Sequence, residues 1–332
     1  MKPIIDTQTT EPASARILEV DEDSAGQRLD NFLMRHLKGL PKTWVYRIIR
    51  TGEVRINKGR AQAESRVEAG DRIRVPPLRL SAPKPATPVL AAHGEPFRIL
   101  FEDDHLIALD KPSGLAVHGG SGISQGVIER LRASRPDTTT LELVHRLDRE
   151  TSGVLLVAKR RSALRHIQDQ FRGRETGKTY LALVKGQWPS NKRVVDIPLY
   201  KYQALTPSGE TERRVQVVGE SDPRGQRAIS LVKVARLVGP HSLLEVVIKT
   251  GRTHQIRVHL CSQGHPILGD DKYGDFSLNK ALQTQGLKRM FLHAWKLQLK
   301  HPQTGQPMSL ISPLPADLQQ FLHHVEPDSP PI

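Results

Sequence analysis

Residues 145–153 read HRLDRETSG and set one carboxylate, Asp148, between Arg146 and Arg149. An acid so placed is either a surface ion pair or turn cap, or a nucleophile held ionised for work on a polyanion. Two more segments carry side chains capable of chemistry: GKTYLALV, with Tyr180, and GRTHQIRVHL, with Arg257. Taken singly, Tyr180 reads as a core tyrosine on a strand and Arg257 as a surface cation, and spacing does not establish that the three meet. Other constellations fall away. The stretch GLAVHGGSGISQG is glycine-rich but fits neither the phosphate-loop nor the dinucleotide fingerprint. His254 and His259 stand on different faces of a helix, with neither a spaced glutamate nor a thiolate cluster beside them, so no metal is expected. Ser152 lacks the strand–serine–helix turn of a hydrolase nucleophile.

These side chains need elements to hold them. Val154–Ala158, directly behind the Asp148 loop, reads as a buried strand. KTYLALVKG and HSLLEVVIK read as further strands, and SALRHIQDQFR as a helix. RTHQIRVHLCSQG reads as a helix capped by Gly264. FRILFEDDHLIALDKP has the alternation of a hairpin turning at Glu102–His105. Strands and helices mix without a regular βαβ rhythm, which predicts an α+β fold over residues 97–325.

Ahead of this domain, residues 16–77 form a smaller basic unit. RLDNFLMRHL places Leu29, Phe32, Leu33 and Leu37 on one helical stripe. PKTWVYRIIRTG starts a helix at Pro41, buries Val45, Ile48 and Ile49, and stops at Gly52. EVRIN and DRIRVPP alternate as half-buried strands do. Between Gln27 and Arg60 nine Lys or Arg stand against two acids. Arg28, Lys42, Arg47, Arg50, Lys58 and Arg60 are therefore expected on an outer face that grips phosphates, since a merely solvated face interleaves both signs. Six prolines between Pro76 and Pro96 predict a semi-rigid linker over 78–96. Residues 1–15 and 326–332 read as tails.

The chain of 332 residues carries a net charge of +14, which favours a phosphate-rich partner or an anionic membrane. No apolar run reaches the roughly 18 residues of a membrane span, and the N-terminus lacks the apolar centre of a secretory signal. The single cysteine, Cys261, leaves no internal disulfide and no multi-thiolate zinc site, as expected in a reducing cytoplasm. Nucleic acid is the better partner.

In order along the chain, LDKPSGLAVH, HRLDRETSGVLLVAK, KTYLALVKG, TGRTHQIRVHL and FLHAWKLQLKHP resemble the motifs of the pseudouridine synthases of the large-subunit rRNA class, and residues 27–77 resemble an S4 RNA-binding module. The resemblance implies a mostly antiparallel mixed sheet flanked by helices, acting on 23S rRNA or on large-subunit assembly intermediates without cofactor; no motif speaks to oligomeric state, and a monomer is the default expectation. It implies that Asp148 meets the ribose C1′, either covalently or by way of a glycal, while a uracil is detached from N1 and rejoined through C5. Such an acid must be ionised, and a neighbouring cation favours that form; the family's third motif makes Arg257 that cation. Tyr180 then stacks on the base or takes the C5 proton, and Arg146 fills the stack vacated by the flipped nucleotide. Two other readings stay open. A non-catalytic rRNA assembly factor has no need of the trio, and a nucleoside hydrolase would want a second carboxylate, which no motif supplies.

Overall fold

The computed structural model describes residues 15–37, 40, 42–77, 96–119, 125–205 and 211–326. The expected linker and tails fall almost wholly outside these residues, as do Pro41 and the side chain of Lys42. The chain divides into two compact units, Met1–Ala91 and Ala92–Ile332.

The first unit contains β1 (Arg16–Glu19), α1 (Leu29–His36), α2 (Lys42–Arg50), β2 (Arg55–Ile56), β3 (Gly59–Arg60) and β4 (Arg72–Val75). Its strands pair antiparallel in the order β1-β4-β2-β3. The three- and four-residue spacing of Leu29, Phe32 and Leu33 on α1, and of Val45, Ile48 and Ile49 on α2, gives each helix one apolar stripe. Both stripes bury against Val54, Val67, Ile73 and Val75. α2 runs out at Gly52, whose φ of +75° ends a helix without strain.

The second unit begins with the hairpin β5 (Arg98–Glu102) and β6 (Leu106–Lys111), followed by α3 (Val127–Ser134), β7 (Glu142–Leu143), β8 (Ser152–Ala158), α4 (Arg161–Gly173) and β9 (Gly177–Val184). Next come β10 (Val194–Asp196), β11 (Leu199–Leu205), β12 (Thr211–Val217), β13 (Ile229–Val238), β14 (His241–Ile248) and α5 (Gln255–Ser262). The last elements are α6 (Phe276–Thr284), β15 (Leu292–Lys300), β16 (Pro307–Ile311) and α7 (Ala316–Val325). One large sheet runs β10-β13-β14-β9-β15-β8-β6-β5, with β16 added to β15 and β7 to β8. β11 and β12 form a separate ribbon.

The pairing of β15 with β8 is parallel and the others described are antiparallel, giving the expected α+β class. β8 is buried at every residue, as a central strand covered on both faces must be. It begins where β15 crowds it. Gly153 has φ +113°, and a Cβ there would collide with the carbonyl of Ala294, so only glycine permits this approach.

Candidate active site

Asp148 sits on the loop that enters β8, and three sets of contacts hold this loop still. Lys111 at the end of β6 is fully buried, and its Nζ donates to the carbonyls of Pro112 (2.8 Å), Leu115 (2.8 Å) and Arg149 (3.0 Å). Burial pulls this lysine down to about 7. Three acceptors nevertheless require three N–H donors, which only the ammonium has, so the geometry is that of a charged Lys111. Ser113 Oγ donates to the Glu150 carbonyl at 2.7 Å, and Gly114 and Arg149 exchange bonds in both directions. Beyond the loop, Arg289 donates to Ser152 Oγ at 2.7 Å, and Ser152 meets His293 Nδ1 at 2.9 Å. His293 Nε2 faces the Ser312 carbonyl at 2.9 Å, so Nε2 carries the proton and Nδ1 accepts from the serine.

The loop presents Asp148 to a cavity of about 260 Å³ lined also by Arg146, Lys178, Tyr180, Arg252, His254 and Arg257. Three distant segments thus meet. Tyr180 reaches the cavity from β9. His254 and Arg257 reach it from the start of α5, where His254 holds a left-handed φ of +51°. That conformation costs a non-glycine residue of order 1 kcal/mol, and such strain is common at functional sites.

Arg257 Nη1 lies 3.8 Å and His254 Nε2 3.9 Å from Asp148 Oδ2. Both exceed hydrogen-bond length, so the two groups attract the carboxylate without occupying its lone pairs. The tighter partner of Arg257 is Asp270, not the Asp148 expected from its sequence motif. Arg257 Nε and Nη2 each reach Asp270 at 2.7 Å, and the backbone N–H groups of Lys272 and Tyr273 also bond Asp270 Oδ1. Burial opposes the charge on Asp270 more than any one partner favours it, but the hydrogen bonds and charge of Arg257 together with the two backbone N–H groups hold the carboxyl below its usual range. A second carboxylate therefore does stand near the site. Both its oxygens accept from Arg257, one of them from two backbone N–H groups as well, and a carboxylate held ionised in this way is poorly suited to act as a hydrolase acid.

His254 is positioned through Tyr273, whose hydroxyl accepts from the Val215 N–H at 3.0 Å and meets His254 Nδ1 at 2.8 Å. The hydroxyl proton goes to Nδ1, which leaves Nε2–H facing Asp148. Burial lowers the pKa of His254, with Asp148 pulling the other way. Burial, helped by Asp148, pushes the Tyr180 phenol well up, so Tyr180 keeps its proton in the free protein. Arg146 is exposed on the cavity lining and forms no ion pair among the described residues.

In the first unit, Arg47, Arg50, Lys58 and Arg60 are exposed. Arg47 stands over Trp44 at 5.8 Å, and Arg60 donates to the Arg50 carbonyl at 3.3 Å. Lys58 lies in the β2–β3 turn, where its φ of +72° follows +47° at Asn57. Arg28 departs from the expectation of a free outward cation: it bonds the buried Asp30 at 2.7 and 3.1 Å and Glu64 at 3.2 Å. Its charge serves the core of the unit first.

Asp270, Lys111 and Tyr273 were missed in the sequence, where His254 figured only in excluding a metal. No spacing rule links Asp270 to Arg257 across a helix end, and Lys111 reads as a strand-end cation.

A mixed sheet presenting an aspartate near an arginine and a half-buried tyrosine, in a chain that also carries a small basic unit, has known counterparts. Residues 105–262 match the family model described as RNA pseudouridylate synthase, and residues 27–73 match the S4 domain. The chain is 49% identical over 320 residues to the ribosomal large subunit pseudouridine synthase C of Escherichia coli, covering 94% of this chain and 97% of that protein. It is 47% identical over 312 residues to the protein so named in Pasteurella multocida, covering 93% of each. Among solved structures, human RNA pseudouridylate synthase domain containing 4 aligns with a TM-score of 0.56 at 28% identity, covering 68% of this chain and 92% of that one. The chain belongs to the RNA pseudouridine synthase family.

Proposed function

We propose that this protein isomerises uridine to pseudouridine at particular sites in large-subunit (23S) rRNA, with Asp148 as the attacking carboxylate. The observation that carries the reading is the convergence of Asp148, Tyr180 and Arg257 on one cavity from three segments far apart in the chain. The relatives named for the large ribosomal subunit support the choice of RNA. A binding protein gains nothing from this arrangement, which disfavours the assembly-factor reading.

A target uridine inside folded RNA must first leave its stack, at a cost of a few kcal/mol. Arg146, exposed at the cavity, is suited to fill the gap. Asp148 then meets C1′ as the C1′–N1 bond breaks and its electrons pass to the uracil. Either an Asp148–C1′ ester forms, or Asp148 takes the ribose 2′-proton and leaves a glycal. Arg257 and the His254 Nε2–H orient the carboxylate meanwhile. The detached base turns on the face of Tyr180, and C5 bonds to C1′ as the Asp148 bond is released or, on the glycal path, as Asp148 returns the proton to C2′. The C5 proton leaves last and N1 gains one, so atoms and charge balance with no cofactor and no net redox change. Tyr180 enters this sequence protonated, which fits stacking and donation better than base catalysis in the resting site.

The cations of the first unit hold phosphates of the same RNA. We place the protein in the cytoplasm as a monomer, acting on naked rRNA or on assembly intermediates.

Tritium release from C5-labelled uridine in 23S rRNA tests the reading. The protein is expected to release tritium and Asp148→Asn to release none. Silence from both proteins, on naked rRNA and on assembly intermediates, together with tight binding would return the assembly-factor reading to first place.

A further inference from the structure

Lys178 stands two residues before Tyr180 on β9, so both side chains leave the same face of the strand. Both line the cavity that holds Asp148. Yet Lys178 has no role in the chemistry above, and among the described residues its Nζ has neither a carboxylate nor a hydrogen-bond acceptor. Its neighbour is the ring of Phe171, 5.2 Å from the ammonium, itself stacked on His145 with ring centres 5.2 Å apart. The ring attracts the ammonium modestly, but half-burial costs the charge hydration that no anion here restores.

Further cations gather here. Val247 pairs with Thr179, which sets Ile248 at the end of β14 opposite Lys178, and Lys249, one residue beyond the strand, lies close enough to act on Lys178 electrostatically. Arg174, capping α4 with φ +61°, lies close enough to act on Lys178 electrostatically. Arg174 and Lys249 are exposed, and neither forms an ion pair among the described residues. Arg146 and Arg252 are exposed on the lining of the same cavity. Burial, and then the charges of Arg174 and Lys249, lower the pKa of Lys178, as expected of a cation with no counter-ion. Ion pairs elsewhere in the unit show what this sequence does with cations it intends to neutralise: Arg135 and Lys159 share Glu102, and Lys185 holds Asp275.

We infer that Lys178, flanked by Arg174 and Lys249, is the seat for a backbone phosphate adjoining the flipped uridine. This rests on the uridine-isomerase reading and gives that site its grip on the nucleotide chain. A phosphate at Lys178 supplies the missing counter-charge and fixes the flipped nucleotide by its backbone, leaving the base free to turn against Tyr180. That division matters chemically, because the uracil must rotate while its ribose stays at Asp148.

The test compares the full-length protein with Lys178→Gln, Lys178→Arg and Lys249→Gln, using 23S rRNA across a series of salt concentrations. Lys178→Gln is expected to raise KM roughly tenfold or more while changing kcat far less, since a charge-assisted bond to substrate is lost. The slope of log kcat/KM against log salt should fall by about one phosphate's worth. Lys178→Arg should recover the slope, and Lys249→Gln should reproduce a weaker form of the KM effect. Melting curves separate these outcomes from misfolding. A loss confined to kcat, with KM and salt slope unmoved, would overturn the proposal and make Lys178 a proton-transfer group. Lys178→Gln matching wild type in both KM and salt slope would also overturn it. A wild-type protein with no tritium release fails the isomerase reading itself, which keeps the two failures apart.

Discussion

Asp270→Asn should damage stability and catalysis together, and the contacts of Asp270 set the size of both effects. The carboxylate is 1% exposed and accepts four hydrogen bonds, two from Arg257 and two from backbone N–H groups. Asparagine matches its shape but replaces one oxygen with an NH₂ group. Either orientation of the amide turns this group onto an existing donor, Arg257 Nε on one side or Arg257 Nη2 with two backbone N–H groups on the other. The guanidinium, with 5% of its side chain exposed, also loses its close counter-charge. Breaking a buried pair from one side costs about 3–5 kcal/mol. For a domain of this size 3 kcal/mol lowers Tm by roughly 6–12 °C.

Released from Asp270, Arg257 keeps the solvent-exposed Asp271 at 3.4 Å and has the more buried Asp148 3.8 Å away. It should close on that carboxylate and occupy the lone pairs needed at C1′, so kcat falls even at temperatures where the variant is folded. Thermal melting followed by tritium release well below the melt measures the two effects separately. Arg257→Met combined with Asp270→Leu should regain much of the stability, since apolar replacement of a whole buried pair is often neutral, but no activity. The pH dependence has a definite sign. The folded pKa of Asp270 is depressed, so its stabilisation is complete above the ordinary value of 3.8 and lost as pH falls below it. Urea midpoints between pH 5 and 3 should therefore fall more steeply for wild type than for Asp270→Asn. A variant within about 1 kcal/mol of wild type, with an unchanged acid limb, would refute the argument that Asp270 anchors Arg257.

Lys111→Met should leave the carbonyls of Pro112, Leu115 and Arg149 without their shared donor. At about 1–3 kcal/mol for each buried group left unsatisfied, a Tm loss of several degrees is expected, with kcat reduced because Arg149 adjoins Asp148; a melting scan beside the tritium assay decides it. Arg47→Gln with Arg50→Gln should weaken rRNA binding and shallow its salt dependence while leaving Tm within about 2 °C, since both side chains are exposed. Unchanged binding and slope in filter titrations would remove these two arginines from the RNA-gripping surface.

Much of the fold was legible because its stripes are strongly periodic. The α1 and α2 stripes, the β5–β6 hairpin with its turn after Glu102, and the all-apolar β8 follow directly from three-to-four and two-residue alternation or from an unbroken apolar run. What periodicity does not contain is strand order. Nothing local to Ser152 or His293 says that β8 and β15 will lie parallel, and the collision that makes Gly153 obligatory exists only once they do.

The site divides the same way. Asp148, Tyr180 and Arg257 could be singled out because their surrounding residues form long motifs in a fixed order, whereas the residues that position them belong to no such run. Asp270 acquires its meaning from the 2.7 Å contacts that α5 and the following loop create between them. Lys111 acquires its own from three carbonyls, one of them 38 residues away. The case of Arg28 runs in the opposite direction. A one-signed stretch of sequence implied a free cation, yet a buried aspartate two residues on captured it, because an unpaired Asp30 in that core would cost more than the loss of one outward charge. Charge counting thus identifies a basic face but not its members, since each buried acid removes the cation that neutralises it. Lys178 is the converse: a half-buried cation that no acid neutralises. It is the position at which this protein and its RNA should prove electrostatically complementary.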